Sequence, residues 1–225
     1  MTNKLSQFAA LVDISAVKTD STKTELDEII RAAKQYQFKC VFALPSFAGY
    51  LIEQLKSTPE VLVGGVVGFP SGGDTTASKV FQAKELCQMG CGEIDMVMNI
   101  GKLKSGLYDE VVLDIQAVKQ AVGNLPLKVI IEAPLLSDEE IVKAGSLIAQ
   151  CEVAFIKSGT GWNGATTPKH VDLMGKGVNH QIAMKVAGGV RHLAQLRAMQ
   201  DQGVTRFGIG YKAALSILEE LKCES

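Results

Sequence analysis

Short apolar runs alternate with amphipathic stretches along this whole chain, eight times over, and few folds accommodate that rhythm. The runs fall at residues 11–15, 38–44, 61–69, 93–99, 128–133, 153–158, 182–187 and 206–210. Most are rich in Val, Ile, Phe or Met, as expected of strands covered on both faces. Between them lie helical patterns. Residues 24–35 carry Leu26, Ile29, Ile30 and Ala33 at helical spacing, residues 78–89 carry Val80, Ala83, Leu86 and Cys87, and residues 108–122 carry Val111, Val112, Ile115 and Val118. Ser137 followed three residues later by Glu140 is a capping-box signature. Thr167-Pro168 places a proline at a first helical position, and residues 193–199 and 213–221 complete the set. Strands alternating with helices build either an open doubly wound sheet or a closed barrel. The strand starts are nearly evenly spaced, and no early G-x-G-x-x-G follows the first strand, which disfavours a dinucleotide-binding sheet. The pattern therefore predicts an α/β fold, a TIM (β/α)8 barrel, occupying residues 1–225 as one domain.

Composition narrows the function classes. A formal net charge of −1 supplies no global basic field, so nucleic acid is not an expected partner. The longest apolar run, residues 61–69, contains three glycines and is far shorter than the ~20 residues that span a bilayer. The first ten residues include Asn3, Lys4, Ser6 and Gln7 and lack a signal-peptide core, so the expected location is cytoplasmic. An odd number of cysteines, five, argues against a fully paired secreted framework. Cys87 and Cys91 are four apart on an expected helix and read as small buried hydrophobes. His170, His180 and His192 form no metal-ligand spacing, so no metal is expected.

Barrel chemistry sits at the C-terminal strand ends, so ionisable residues that interrupt those ends are the candidates. Lys157 closes the run Val153-Ala154-Phe155-Ile156. Desolvation there would lower its pKa and free a neutral amine for attack on a carbonyl, although a buried stem with a solvated head is the plain alternative. Lys185 occupies the equivalent place one strand on, and neighbouring strands lie ~4.8 Å apart, so the two ammoniums would repel. Asp95, flanked by Ile94, Met96 and Val97, could pair with a lysine or relay protons, or could be a structural aspartate bonded to backbone amides. Glycine motifs follow the last three strands: Gly159-Thr160-Gly161, Gly188-Gly189 and Gly208-Ile209-Gly210. Loops at these positions often bind phosphate through backbone N–H groups, and otherwise are simply tight turns.

These residues sit within a longer resemblance. Leu11-Val12-Asp13, Lys18, Val66-Val67-Gly68-Phe69-Pro70 with Gly72, and the stretch from Gly92 to Gly106 are similar to the deoxyribose-phosphate aldolase family. The similarity continues through residues 128–132, Phe155-Ile156-Lys157, Thr160-Gly161, Ala165-Thr166 and Gly188-Gly189-Val190-Arg191. It implies a class I aldolase that reversibly cleaves 2-deoxyribose 5-phosphate to acetaldehyde and glyceraldehyde 3-phosphate, with no metal or organic cofactor. Lys157 matches the imine-forming lysine, and Asp95 and Lys185 match the proton-relay aspartate and second lysine. Ser15, Thr160, Gly161, Gly188, Gly189 and Gly210 are the expected substrate-binding residues. Family members often form dimers, so a homodimer or larger homo-oligomer is expected.

The chain also departs from the family pattern. Ile14-Ser15-Ala16-Val17-Lys18 replaces His-Thr-Leu-Leu-Lys, with the Ser15 hydroxyl standing in for threonine. Phe42-Ala43-Leu44-Pro45 lacks the cysteine of some members, and Cys40 is not its equivalent. After the eighth strand, Gly208-Ile209-Gly210-Tyr211-Lys212 replaces a Gly-Thr-Ser loop, so the phosphate-binding hydroxyls are gone. Lys212 could supply charge or be a solvated helix-start lysine, and Trp162 could reshape the pocket. A Schiff-base lyase for another or unphosphorylated aldehyde, or a non-catalytic sugar-phosphate-binding barrel, are the competing readings.

Overall fold

In the computed structural model, which describes residues 3–224, eight parallel strands close into one barrel in simple sequence order, β1 pairing with both β2 and β8. The elements run α1 (Asn3–Ala10), β1 (Val12–Ala16), α2 (Lys23–Tyr36), β2 (Cys40–Ala43), α3 (Ala48–Leu55), β3 (Leu62–Val67), α4 (Thr76–Met89), β4 (Glu93–Val97) and α5 (Ile100–Lys104). They continue with α6 (Tyr108–Val122), β5 (Leu127–Ile130), α7 (Asp138–Ile148), β6 (Phe155–Lys157), α8 (Pro168–Gly177), β7 (Ala183–Ala187), α9 (Leu193–Asp201), β8 (Val204–Gly210) and α10 (Tyr211–Cys223). All eight expected strands are present, within a few residues of the apolar runs.

The helices start where the sequence supplies caps. Thr22 accepts from the Glu25 amide at α2, Ser137 and Glu140 form the expected capping box at α7, and Thr167 with His170 caps α8 behind Pro168. One expectation needs correcting. Gly90, at φ 105°, ends α4, so Cys91 lies beyond the helix and shares no helical face with Cys87. A residue in that left-handed region is most easily glycine, which is why the helix stops there. Cys91 is nonetheless buried and Cys87 half-buried, in keeping with small hydrophobes.

The main core lies between the strands and the helix ring, where β4 and β5 contribute Ile94, Met96 and Val129 against Leu86 and Ile115. A second, small apolar cluster of Cys40, Phe42 and Val66 occupies the bore. Phe42 crosses the interior over Gly64, where an added Cβ would meet the ring at 2.2 Å. The β7–β8 pairing holds one irregularity. Met184 pairs with Val204 but Lys185 pairs with Arg206, so Thr205 is an extra residue in β8. Such a bulge re-aims the side chain that follows it, and Arg206 points into the bore.

Candidate active site

Three strands deliver the expected chemistry to one point. Lys157 ends β6 and pairs in register with Lys185 of β7. Asp95, in β4, lies across the bore, and one of its oxygens serves both amines: Lys157 Nζ and Lys185 Nζ each donate to Oδ2 at 2.7 Å. Asp95 is therefore bonded to lysines rather than to backbone amides.

The strands' alternation brings further charge inward. Lys128 of β5 donates to Asp95 Oδ1 at 3.0 Å and to Glu93 Oε2 at 2.6 Å. Arg206 donates through Nε to Asp13 Oδ1 at 2.6 Å and through one terminal nitrogen to both Glu93 oxygens, at 2.9 and 2.7 Å. Asp13 Oδ2 lies 2.6 Å from Lys185 Nζ, off the hydrogen-bonding direction, as an ion pair. The Phe42 ring meets three ammoniums, its centroid 4.5 Å from Lys185, 5.1 Å from Lys128 and 5.8 Å from Lys157. Asp13, Glu93, Lys128 and Arg206 were not among the residues singled out by sequence. Their signal was present: Glu93 and Asp95 are two apart in one strand and so share a face.

Electrostatics set these groups apart. Burial pushes the Lys157 ammonium down and Asp95 pulls it up, while Lys185 and Lys128 push it down again, leaving a pKa of about 8. Burial raises the Asp95 carboxyl, but Lys128, Lys157 and Lys185 outweigh it and hold Asp95 well below the usual range. For Lys128 burial works against the charge, and Asp95, Asp13 and Glu93 overcome it, raising the pKa. Asp13, Cys40 and Glu93 bring potential ligand atoms within 4.8 Å of one another. Both carboxylates there are already occupied by Arg206, Lys128 and Lys185, so the cluster does not fit a cation.

Above the lysines opens a cavity of about 500 Å³ at the strand C-termini. Lys157 and Lys185 reach its floor, while Asp95 is fully buried below. Ser15, Thr160, Gly161, Gly188, Gly189 and Gly210 all line it. Their roles in the wall differ. The Thr160 hydroxyl donates to buried Glu132 and accepts from the Trp162 amide at 3.0 Å, so it fastens the loop after β6. Gly189, at φ 86°, passes so close to Ala165 that a Cβ would sit 2.5 Å from that methyl group. Gly210 differs, because a Cβ there would meet open space. Gly208 and Gly210 lie within β8 and not in the expected loop after it, and α10 begins at once with Tyr211 and Lys212, which also face the cavity. Lys18, Arg191 and Lys212 put three exposed cations around the mouth. Phe69 and Trp162 close another side in an edge-to-face pair, with centroids 5.9 Å apart. The histidines stand apart from the cavity: His170 caps α8, His180 follows it and His192 precedes α9.

A closed barrel whose cavity opens at the strand C-termini over two buried lysines defines a TIM-barrel enzyme. Residues 8–212 match the family model described as DeoC/LacD family aldolase, and the chain belongs to that family. It is 42% identical to deoxyribose-phosphate aldolase 1 of Staphylococcus aureus strain MRSA252, over 97% of this chain and 99% of that one. It is also 42% identical to the deoxyribose-phosphate aldolase of Sinorhizobium medicae, over 95% of this chain and 86% of the relative. Among solved structures, the aldolase QR15 superposes with a TM-score of 0.88 at 29% identity, covering 99% of this chain and 97% of that one. The deoxyribose phosphate aldolase of Aeropyrum pernix, described as a tetramer, shares the fold with a TM-score of 0.84 at 22% identity, covering 98% and 93%. No helix among the described residues is long and apolar enough to cross a membrane.

Proposed function

We propose that the protein is a deoxyribose-phosphate aldolase that works through an imine on Lys157. One observation carries the reading: the Lys157 amine is buried at the cavity floor, with a pKa brought down to about 8. About a tenth is then the neutral nucleophile at pH 7, roughly 300 times the fraction for an ordinary lysine. In the synthetic direction the Lys157 nitrogen attacks the acetaldehyde carbonyl carbon, and water leaves as the imine forms. With the imine nitrogen protonated, loss of a methyl proton shifts the electron pair to nitrogen and gives the neutral enamine. The enamine carbon then bonds to the carbonyl carbon of glyceraldehyde 3-phosphate, whose oxygen takes a proton, and hydrolysis of the new imine releases the sugar.

Lys185 and Asp95 are placed to handle the protons. Lys185 reaches the cavity beside Lys157, and both amines meet the same Asp95 oxygen. Held ionised by three ammoniums, Asp95 is a weak base, so it bridges the amines and Lys185 is the group that exchanges protons with substrate. Ser15, Gly161, Gly188, Gly189 and Gly210 form the walls against which the sugar phosphate rests, and Thr160 secures the loop carrying Gly161. Lys18, Arg191 and Lys212 around the mouth favour an anionic substrate even though the junction of β8 and α10 offers no serine or threonine hydroxyl.

Reductive trapping tests this directly. Acetaldehyde with borohydride should leave an N-ethyl group on Lys157, located by peptide mass spectrometry, and Lys157→Ala should lose cleavage activity. An unlabelled Lys157, or an active Lys157→Ala, defeats the reading. Less than about tenfold preference for deoxyribose 5-phosphate over deoxyribose, or 1.4 kcal/mol, would redirect it to an unphosphorylated substrate.

A further inference from the structure

The contacts inside the bore close on themselves. Asp13 meets Arg206, Arg206 meets Glu93, Glu93 meets Lys128, Lys128 meets Asp95, Asp95 meets Lys185, and Lys185 returns to Asp13. Six charges alternate in sign around this circuit, each touching an opposite charge on either side. They come from β1, β8, β4, β5 and β7, while Phe42 and Cys40 from β2 and Val66 from β3 fill the remaining bore. The circuit is neutral with its members ionised. Lys157 stands outside it: among the described residues its one carboxylate partner is Asp95, which already serves two ring cations.

We propose that Glu93, Lys128 and Arg206 are positioning residues whose charges complete a neutral ring, leaving Lys157 as the one surplus cation that the interior releases before substrate binds. None of the three lines the cavity, and they act on the reaction through Asp95 and Lys185. Three carboxylates face four cations in the bore, counting Asp13, Glu93 and Asp95 against Lys128, Lys157, Lys185 and Arg206. A low-dielectric interior penalises an uncompensated charge. Arg206 does not deprotonate, and Lys128 lies among three carboxylates, Glu93, Asp95 and, at 4.0 Å, Asp13. Releasing the Lys157 proton therefore balances the bore without opening the ring. Cys40 also lies within the field of Asp13, Lys128, Glu93 and Lys185, but its thiol is held well above its ordinary range, chiefly by burial, and so stays neutral.

This inference rests on Lys157 as the imine-forming amine and is tested by moving ring charges. The pH dependence of adduct formation on Lys157, with acetaldehyde and cyanoborohydride, is followed in wild type, Glu93→Gln, Arg206→Gln and the double variant. Removing a carboxylate should move the midpoint down by about one pH unit, a tenfold change in free amine on its flank, and removing the guanidinium should move it up similarly. The double variant, again neutral around the ring, should return close to wild type. Shifts in one common direction, or none, overturn the proposal, because simple loss of structure carries no sign. Lack of any adduct in wild type would instead defeat the imine reading. A wild-type measurement covers variants that do not fold: in lysine-labelled protein followed by NMR, Lys157 Cε should titrate near pH 8 while Lys128 Cε stays flat to pH 10. Lys128 titrating alongside Lys157 overturns the ring whatever the chemistry.

Discussion

The depressed Lys157 pKa makes a prediction about stability as well as rate. An unfolded lysine titrates near 10.5 and the native one at about 8. Between those values the unfolded chain binds more protons, so native stability rises with pH across the window. The penalty is fully present below pH 8 and lifts as pH climbs towards 10.5. The fall from 10.5 to about 8 corresponds to roughly 3 kcal/mol. Linkage leaves nearly all of it in place at pH 7 and lifts roughly 1 kcal/mol of it by pH 9. Lys157→Met removes this titration, so the stability of the variant minus that of wild type should fall by about 1 kcal/mol between pH 7 and pH 9. Urea unfolding of both proteins at pH 7, 8 and 9 measures it, and subtraction cancels the other titrating groups. A difference constant across the series would mean that Lys157 is not perturbed in the native protein, and the account of its nucleophilicity would fail with it. Any fixed offset from lost packing or from the broken contact with Asp95 does not alter the slope.

Two further outcomes follow from the packing. Gly64→Ala places a methyl 2.2 Å from the Phe42 ring and should cost about 1–3 kcal/mol by overpacking, with Phe42→Leu in the same chain relieving most of it in a denaturation assay. Lys79→Met should cost about 3–5 kcal/mol, because it strands the buried Asp114 carboxylate that Lys79 meets at 2.6 Å and removes a 3.0 Å bond to the Val97 carbonyl at the end of β4. Asp114→Asn in the Lys79→Met background should recover part of that loss of melting temperature.

The barrel was legible in sequence because each buried strand announces itself as an apolar run. Lys157 and Lys185 stood out for the complementary reason, as charges where burial is otherwise continuous. What escaped notice was short or nonlocal. α1 and α3, eight residues each, and α5, five residues, are too brief for periodicity to mark them. Glu93, Lys128 and Arg206 were visible as charges within strands, yet their partners come from strands far away in sequence. Glu93 and Arg206 are separated by 113 positions, and no local pattern joins them. Thr160 shows the opposite limit: its place beside the cavity could be anticipated, but not that its hydroxyl turns back to Glu132.

The extra residue in β8 has a consequence for how this chain can change. Side chains in a strand alternate faces, so a one-residue slip reverses every assignment beyond it. Were Lys185 paired with Thr205, the guanidinium at 206 would be directed towards the helices and Asp13 and Glu93 would lose their shared counterion. Thr205 is itself exposed and its side chain replaceable, but its backbone is not. Substitution at 205 should therefore be tolerated where deletion is not. A final strand borrowed from another barrel will serve only if it brings the same surplus residue, so the length of β8 is inherited together with the chemistry of β6 and β7.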